Sequence, residues 1–411
     1  MNQEVSVTSE IGLLEAVVVH RPGREIDNLT PDAMTSLLFD DIPYLPAMQR
    51  EHDRFVEVLL QRDAQVLYLK DLVRDSLRDE AVRDAFLDQF LRESGVQETR
   101  VFSRLKAHLL SLATADLVET LMAGVARRDL AEGSREHLSD LVADQSLFHL
   151  EPIPNLYFTR DPAAVIGQGL SLSSMRWPAR RRETLLMQLV AEHHPLFRDL
   201  PIWFDRKHVA PMEGGDQLVL SPEVLFVGIS ERTSADAVEH LARRLLAAPG
   251  TMRTVVAVEI PKLRSSMHLD TVFTQVDLDK FTIHPDVLAG GRRLGLFVLD
   301  RGPDEELRIR PHDDIQSLLK SLLHLPEVDL IPCGGGDRVA ASREQWNDAS
   351  NTFAVAPGVV LAYDRNTISN AVLRRHGVEV IEIPSSELSR GRGGPRCMSM
   401  PLRRRPIAAR C

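Results

Sequence analysis

Two hydrophobic rhythms divide the chain. Between about residues 74 and 147 apolar positions recur at helical spacing. "LRDEAVRDAFLDQFLRES" sets Val82, Phe86, Phe90 and Leu91 on one face, and "SRLKAHLLSLATADLVETLMAGVA" and "REHLSDLVADQSL" continue the pattern. No proline occurs between Pro46 and Pro152, although the chain holds 24, and Gly95, Gly124 and Gly133 mark breaks. This predicts four or five short helices inserted at 74–147, between catalytic-domain segments 1–73 and 148–411.

Outside that span the rhythm shortens to apolar strands and turns. "LLEAVVVHRPG" reads as a strand ending in a turn, and "LTPDAMTSLLF" offers Thr30 as N-cap with Pro31 at the first helical position. A plan of acid, strand, turn, strand, Arg and helix then recurs. "GGDQLVLSPEVLFVGISERTSADAVEHL" from Gly214 and "SNTFAVAPGVVLAYDRNTISNAVLRRHG" from Ser350 match closely, with Pro222 and Pro357 in equivalent turns. "RDPAAVIGQGLSLSSMRWPARRRETLLM" is a third copy. "LDTVFTQVDLDKFTIHP" reads as a fourth without its helix, and residues 11–38 supply a fifth. Hairpin-plus-helix units cannot bury their faces alone, so an α/β fold with units packed about an axis is expected.

Composition narrows the class. With 44% apolar and 26% charged residues the chain can build a large core, and a net charge of -10 disfavours a nucleic-acid surface and suits a cationic small molecule. Cys333, Cys397 and Cys411 are too few for a disulfide framework or a cysteine-rich metal site; Cys411 reads as an exposed, mobile terminal residue. No signal peptide and no apolar run of about 18 residues is found, which implies a cytoplasmic protein with no membrane partner.

The chemistry-bearing residues are scattered. "FTRDP" brings Asp161, "MEGGDQ" brings Glu213 and Asp216, and "MHLDTVF" brings His268 and Asp270, which on a strand would share one face. Each fragment has a bland reading as a turn or a surface pair. The acids and His268 could also ligate a divalent ion, but no clustered ligand spacing favours that over a metal-free site. "CGGGD" at 333–337 lacks the Lys-Ser/Thr of a phosphate loop and reads as a structural counterpart of "EGGD". "WPARRRET" and "LRRRPIAAR" read as solvated basic runs. Cys397 follows Gly391, Gly393, Gly394 and Pro395, a mobile-loop composition, with Arg392 and Arg396 beside it; nearby cations favour a thiolate, so it reads as a nucleophile rather than a core residue.

Together "NLYFTRDP", "WPARRRET", "MEGGD", "SERT", "MHLDTVF", "REQWNDASNTFAVAPGVVLAYDRN" and "GRGGPRCMSMPL" resemble arginine deiminase, of the guanidine-modifying (amidinotransferase) superfamily, in order over essentially the whole chain. The resemblance implies a five-bladed, pseudo-symmetric α/β propeller with an inserted helical bundle. It implies hydrolysis of L-arginine to L-citrulline and ammonia through a cysteine-bound amidino intermediate, the first step of the arginine deiminase pathway, with no cofactor and no metal. By motif, Cys397 resembles the nucleophile, His268 the general acid/base, Glu213 its partner, and Asp161 and Asp270 the guanidinium grip. Arg180, Arg232 and Arg392 resemble the clamp on the α-carboxylate, and Asn155, Phe158 and Asp216 lie in the same motifs. The tail after Leu402 is more basic than the resemblance leads one to expect. Loop 390–396 and the "LLFDD" segment around Phe39 are expected to close over substrate, and the helical faces to form a homo-oligomer, dimer or tetramer. The alternatives are another guanidine-modifying reaction (methylarginine hydrolysis, agmatine deimination, amidino transfer), an arginine-binding protein without catalysis, and a metal hydrolase.

Overall fold

A computed structural model describes residues 5–96, 100–130, 147–248, 250, 252–285 and 295–407. Gly133, the "REHLSDLVADQSL" segment up to Gln145 and Ser146, and Cys411 lie outside them.

The protein is α/β with mixed sheets. Five sheets share one plan, in which a first strand pairs antiparallel with a second and the second pairs parallel with a third. In the first, Ala163–Ile166 pairs with Gly169–Leu172 and then Ile202–Phe204. In the second, Gln217–Ser221 pairs with Val224–Ile229 and then Thr254–Glu259. The third joins Phe273–Gln275, Lys280–Ile283 and Asp329–Pro332, and the fourth Phe353–Ala356, Val359–Tyr363 and Glu379–Ile383. The fifth takes its first strand from the far end of the chain: Met400–Arg404 lies beside Leu14–Val19, which pairs with Gln65–Tyr68. Pro222 and Pro357 occupy the matching hairpin turns, as the repeat predicts. A parallel third strand requires a crossover, and helices Arg181–His193, Ala235–Ala247, Thr367–Arg375 and Leu45–Gln61 provide four of them.

The fourth copy read along the chain is not helix-free. Its helix, Ile315–Leu323, is delayed by a hairpin, Gly295–Arg301 with Leu307–His312, which extends the second sheet through Thr254–Glu259. A segment that satisfies its backbone on a neighbouring sheet edge displaces the crossover helix in sequence while leaving it in place topologically.

The helical rhythm becomes Leu69–Ser76, Glu80–Glu93, Arg100–Ser111 and Thr114–Ala123, so the first helix crosses the expected boundary at 73/74. Asp79 caps the second helix, accepting from the amides of Ala81 and Val82, while Gly95 and Gly124, at φ 78° and 80°, end the second and fourth. Phe86, Leu87, Phe90, Leu105 and Leu121 share one continuous core with Leu170, Leu186 and Val190 of the first unit. Pro31 does open a helical turn, but only the 3-10 turn Pro31–Ala33, with no side-chain cap from Thr30.

Candidate active site

Four 3-10 turns lie ahead of first strands: Pro154–Tyr157, Gly214–Asp216, Leu269–Thr271 and Leu388–Gly391. The segments that enter the first strands therefore carry the site, so its acids sit at strand starts rather than strand ends. One cavity is lined by Asn155, Phe158, Asp161, Arg180, Arg232, His268, Arg392 and Cys397, together with Leu38, Arg264, Met267, Thr271 and Gly391. Its volume of ≈ 10 Å³ leaves room for about one water molecule.

His268 and Asp270 do not share a strand face. Asp216 accepts the amide of Leu269 at 2.7 Å and the hydroxyl of Ser230 at 2.7 Å, and Thr271 donates to the carbonyl of His268, so the backbone turns as a 3-10 helix. The two side chains then separate, His268 toward Glu213 and Asp270 toward Arg396. Asp216 braces this turn and does not line the cavity.

Oε2 of Glu213 collects three cations: His268 Nε2 at 2.9 Å, Arg232 at 3.3 Å and Arg180 at 3.8 Å. Burial raises a carboxyl, but Arg232 and His268 overcome it and hold Glu213 at about 2. For His268 burial disfavours the charge, while Asp161, Glu213 and Asp216 more than reverse it, to about 9. At neutral pH the site holds an imidazolium. Gly215 makes this approach possible: a Cβ there would stand 2.7 Å from His268 Cγ and Nδ1 and 3.0 Å from Asp161 Oδ1.

Arg180 is buried and donates to Asp161 Oδ2 at 2.6 Å and to both oxygens of Glu183 at 2.9 and 2.7 Å. Arg182 is buried too, donating to the carbonyls of Glu151 and Pro152. "WPARRRET" is thus no solvated face; of its arginines only Arg181 is exposed. Of the tail's described arginines only Arg404 is buried; Arg403 is half-buried and Arg405 exposed, both paired with Glu15.

Cys397 is 3% exposed, its amide donates to Asn351 Oδ1 at 3.0 Å, and its Sγ lies 3.8 Å from Asp270 Oδ2. Arg396 does not serve the sulfur. Its guanidinium donates to Glu10 at 3.0 Å, to Asp270 at 2.6 Å and to the carbonyl of Gln217 at 2.8 Å. Burial first, then Asp270, Asp161 and Asp348, push the thiol well above its ordinary value, so the expectation that neighbouring arginines favour a thiolate is not met. Oδ1 of Asp161 and Oδ1 of Asp270 are buried without a hydrogen-bond partner among the described residues, with His268 Nδ1 3.8 Å from the former.

The glycines beside Cys397 serve close packing. A Cβ on Gly391 would stand 2.0 Å from the Tyr157 hydroxyl, and one on Gly393 2.3 Å from the Phe158 ring. Above this loop, Asn155 donates to the carbonyl of Leu37, Arg264 to the carbonyl of Leu38 and to Asp40, and Arg390 pairs with Asp41. Phe39 is buried.

Asp161, Glu213 and His268 stand close enough to hold a metal ion. Both carboxylates already face guanidinium groups, which an added cation would have to displace. "CGGGD" also forms a 3-10 turn, Cys333–Gly336, but it leads into helix Arg338–Gln345 and none of its residues lines the cavity. The sequence reading passed over Glu10, Glu183, Arg264, Asp348 and Asn351. Glu183, Asp348 and Asn351 sit inside quoted motifs, whereas nothing local marks Glu10.

A family model described as arginine deiminase matches residues 35–404. An arginine deiminase of Bacillus thuringiensis subsp. konkukian is 50% identical over 410 residues, 99% of this chain and 100% of that protein. Among solved structures, SxtG, an amidinotransferase from Microseira wollei, superposes with a TM-score of 0.52 at 14% identity over 98% of both chains. Unliganded AgrE does so at 0.53 and 14% identity, over 96% of this chain and only 40% of its own, so this chain spans about two fifths of that longer protein. At such identity these two likenesses concern the fold. The full-length relative and the family model settle descent: the chain belongs to the arginine deiminase family.

Proposed function

We propose that this protein carries out its family's reaction, the hydrolysis of L-arginine to L-citrulline and ammonia, with Cys397 as nucleophile and His268 as proton carrier. The observation that carries the reading is the pair of buried oxygens that accept no hydrogen bond from the described residues, Asp161 Oδ1 and Asp270 Oδ1, in a site that also holds a buried thiol. A planar guanidinium is the cation whose nitrogens fit two such acceptors through charge-assisted hydrogen bonds. Its charge offsets the carboxylates that keep the thiol protonated, so substrate itself favours the thiolate.

As substrate docks, the thiol releases its proton to solvent, and the thiolate adds to the guanidinium carbon. The tetrahedral adduct expels one nitrogen as ammonia, protonated by the His268 imidazolium, and leaves a thiouronium on sulfur. Neutral His268 then takes a proton from water, whose oxygen attacks the same carbon; the C–S bond breaks, the hydroxyl proton of the adduct passes to the departing sulfur, and the neutral ureido product leaves. Glu213 keeps the imidazole oriented and charged between turnovers. Arg180, Arg232 and Arg392 form the clamp on the α-carboxylate, the first two also paired with Asp161, Glu183 and Glu213, and Asn155 and Phe158 complete the pocket. Cys397→Ala is expected to lower citrulline formation on the order of 10⁴-fold or more. A variant with full activity would overturn the nucleophile.

The five like-built sheets support a five-bladed propeller about a pseudo-fivefold axis, with 74–147 as the inserted helical unit of a catalytic domain formed by 1–73 and 148–411. No described helix is long and apolar enough to cross a membrane, and a cytoplasmic homo-oligomer is the setting inferred. Light scattering that finds only monomer would refute the oligomer.

A further inference from the structure

Arg392 is held in an unusual way. Its backbone is left-handed, φ 64° and ψ 74°, with its amide donating to the carbonyl of Ser389. The residue is 4% exposed, yet its Nε and Nη1 have no hydrogen-bond partner among the described residues. Instead the guanidinium carbon lies 3.4 Å from the centre of the Trp346 ring. Trp346 itself is 49% exposed, so core packing does not account for the contact.

Trp346 follows helix Arg338–Gln345, and that end of the helix is tied down on two sides. Gln345 Nε2 donates to the carbonyls of Ser265 and Thr271, both at 2.8 Å, next to the His268 turn. The carboxylate of Glu344 accepts the amides of Ile368 and Ser369, at the start of helix Thr367–Arg375. The ring is therefore presented from a fixed base. Stacking engages the flat face of a guanidinium and leaves its in-plane N–H edge free, and that edge matches a carboxylate. An ion pair with a protein acid would have consumed the edge.

We infer that Trp346 is a positioning residue for substrate selection: it stacks on Arg392 and turns the unpartnered N–H edge toward the α-carboxylate of arginine. The inference rests on the reading of Arg392 as the carboxylate clamp, and the experiment separates the two. The full chain is assayed as wild type, Trp346→Ala, Trp346→Leu, Trp346→Phe and Arg392→Ala, with L-arginine as substrate and agmatine, which lacks the α-carboxylate, as competing ligand. Trp346→Ala and Trp346→Leu are expected to raise the arginine KM about tenfold, within the range that loss of a desolvated cation–π contact gives. Their kcat should stay within about threefold and the agmatine Ki should not move, and Trp346→Phe should recover most of the KM. If Arg392→Ala raises KM while the Ala and Leu variants at 346 do not, the platform is wrong and the clamp survives. If Arg392→Ala leaves KM unchanged, the clamp reading itself fails. Equal losses toward arginine and agmatine, or a fall in kcat without a KM change, would make Trp346 merely structural and overturn the inference.

Discussion

His268 and Glu213 bind their protons in opposite senses, and the pH behaviour of the site follows from that. The imidazolium persists to about 9, so kcat should hold through neutrality and fall as pH rises through about 9. A pH–rate profile with its alkaline limb near 6.5 would show that Glu213 and Asp161 do not sustain the charge, and Glu213→Gln should move the limb down by about one unit or more. The same shifts act on stability. His268, raised in the folded state, contributes fully below about 6.5 and loses that contribution as pH rises to about 9. Glu213, lowered to about 2, contributes fully above about 4.5 and loses it on acidification through about 2. Gly215→Ala tests how closely the pair is packed. The new Cβ must displace His268 or Asp161, so kcat should drop about 100-fold, as a roughly 1 Å misplacement costs, with an unfolding midpoint close to wild type.

At the scale of elements, the loop that carries Cys397 is anchored by a helix. Glu51, buried within Leu45–Gln61, accepts the hydroxyl of Ser386 at 2.6 Å and the amides of Glu387 and Leu388 at 2.9 Å each. Tyr157 and Tyr363 donate their hydroxyls to the carbonyls of Leu388 and Gly393 further along the loop. Glu51→Ala removes the charged acceptor for three donors at the base of the loop. It should raise the arginine KM, speed proteolytic cleavage near 386–391 and cost about 2–4 kcal/mol in urea unfolding. Unchanged KM and unchanged cleavage would show that the hydroxyl contacts alone fix the loop. The glycines of the loop also meet a packing demand: they lie buried against Tyr157, Phe158 and Asn351, where a side chain would not fit.

At the scale of the whole molecule, the two ends of the chain depend on each other. Met400–Arg404 completes the sheet of Leu14–Val19, with Met400 opposite Val18 and fully buried. Ser6 bonds two residues of that strand, its amide donating to the carbonyl of Leu402 and its carbonyl accepting the amide of Arg404. Met400→Ala should cost about 2–5 kcal/mol, measured by urea unfolding, through the cavity it leaves. A loss below about 1 kcal/mol would mean that this closing strand is dispensable.

Much of this was legible along the chain. Local chemistry determined the strand hairpins with their Pro222 and Pro357 turns, the helices over 80–123 and the motif positions of Asp161, Glu213, His268 and Cys397, because periodicity, turn residues and side-chain type are properties of neighbours in sequence. What charge neighbours meet is not such a property. Arg396 sits next to Cys397 in the chain but serves Glu10, almost 400 residues away, and Asp270. Asp216 belongs to the acidic motif yet braces a turn, and Arg180, Arg182 and Arg404, from two basic runs, are buried. Only the tertiary structure decided which acid faces which cation and how dry each pair is. Burial and Coulomb energy depend on distances in space, which no local pattern encodes.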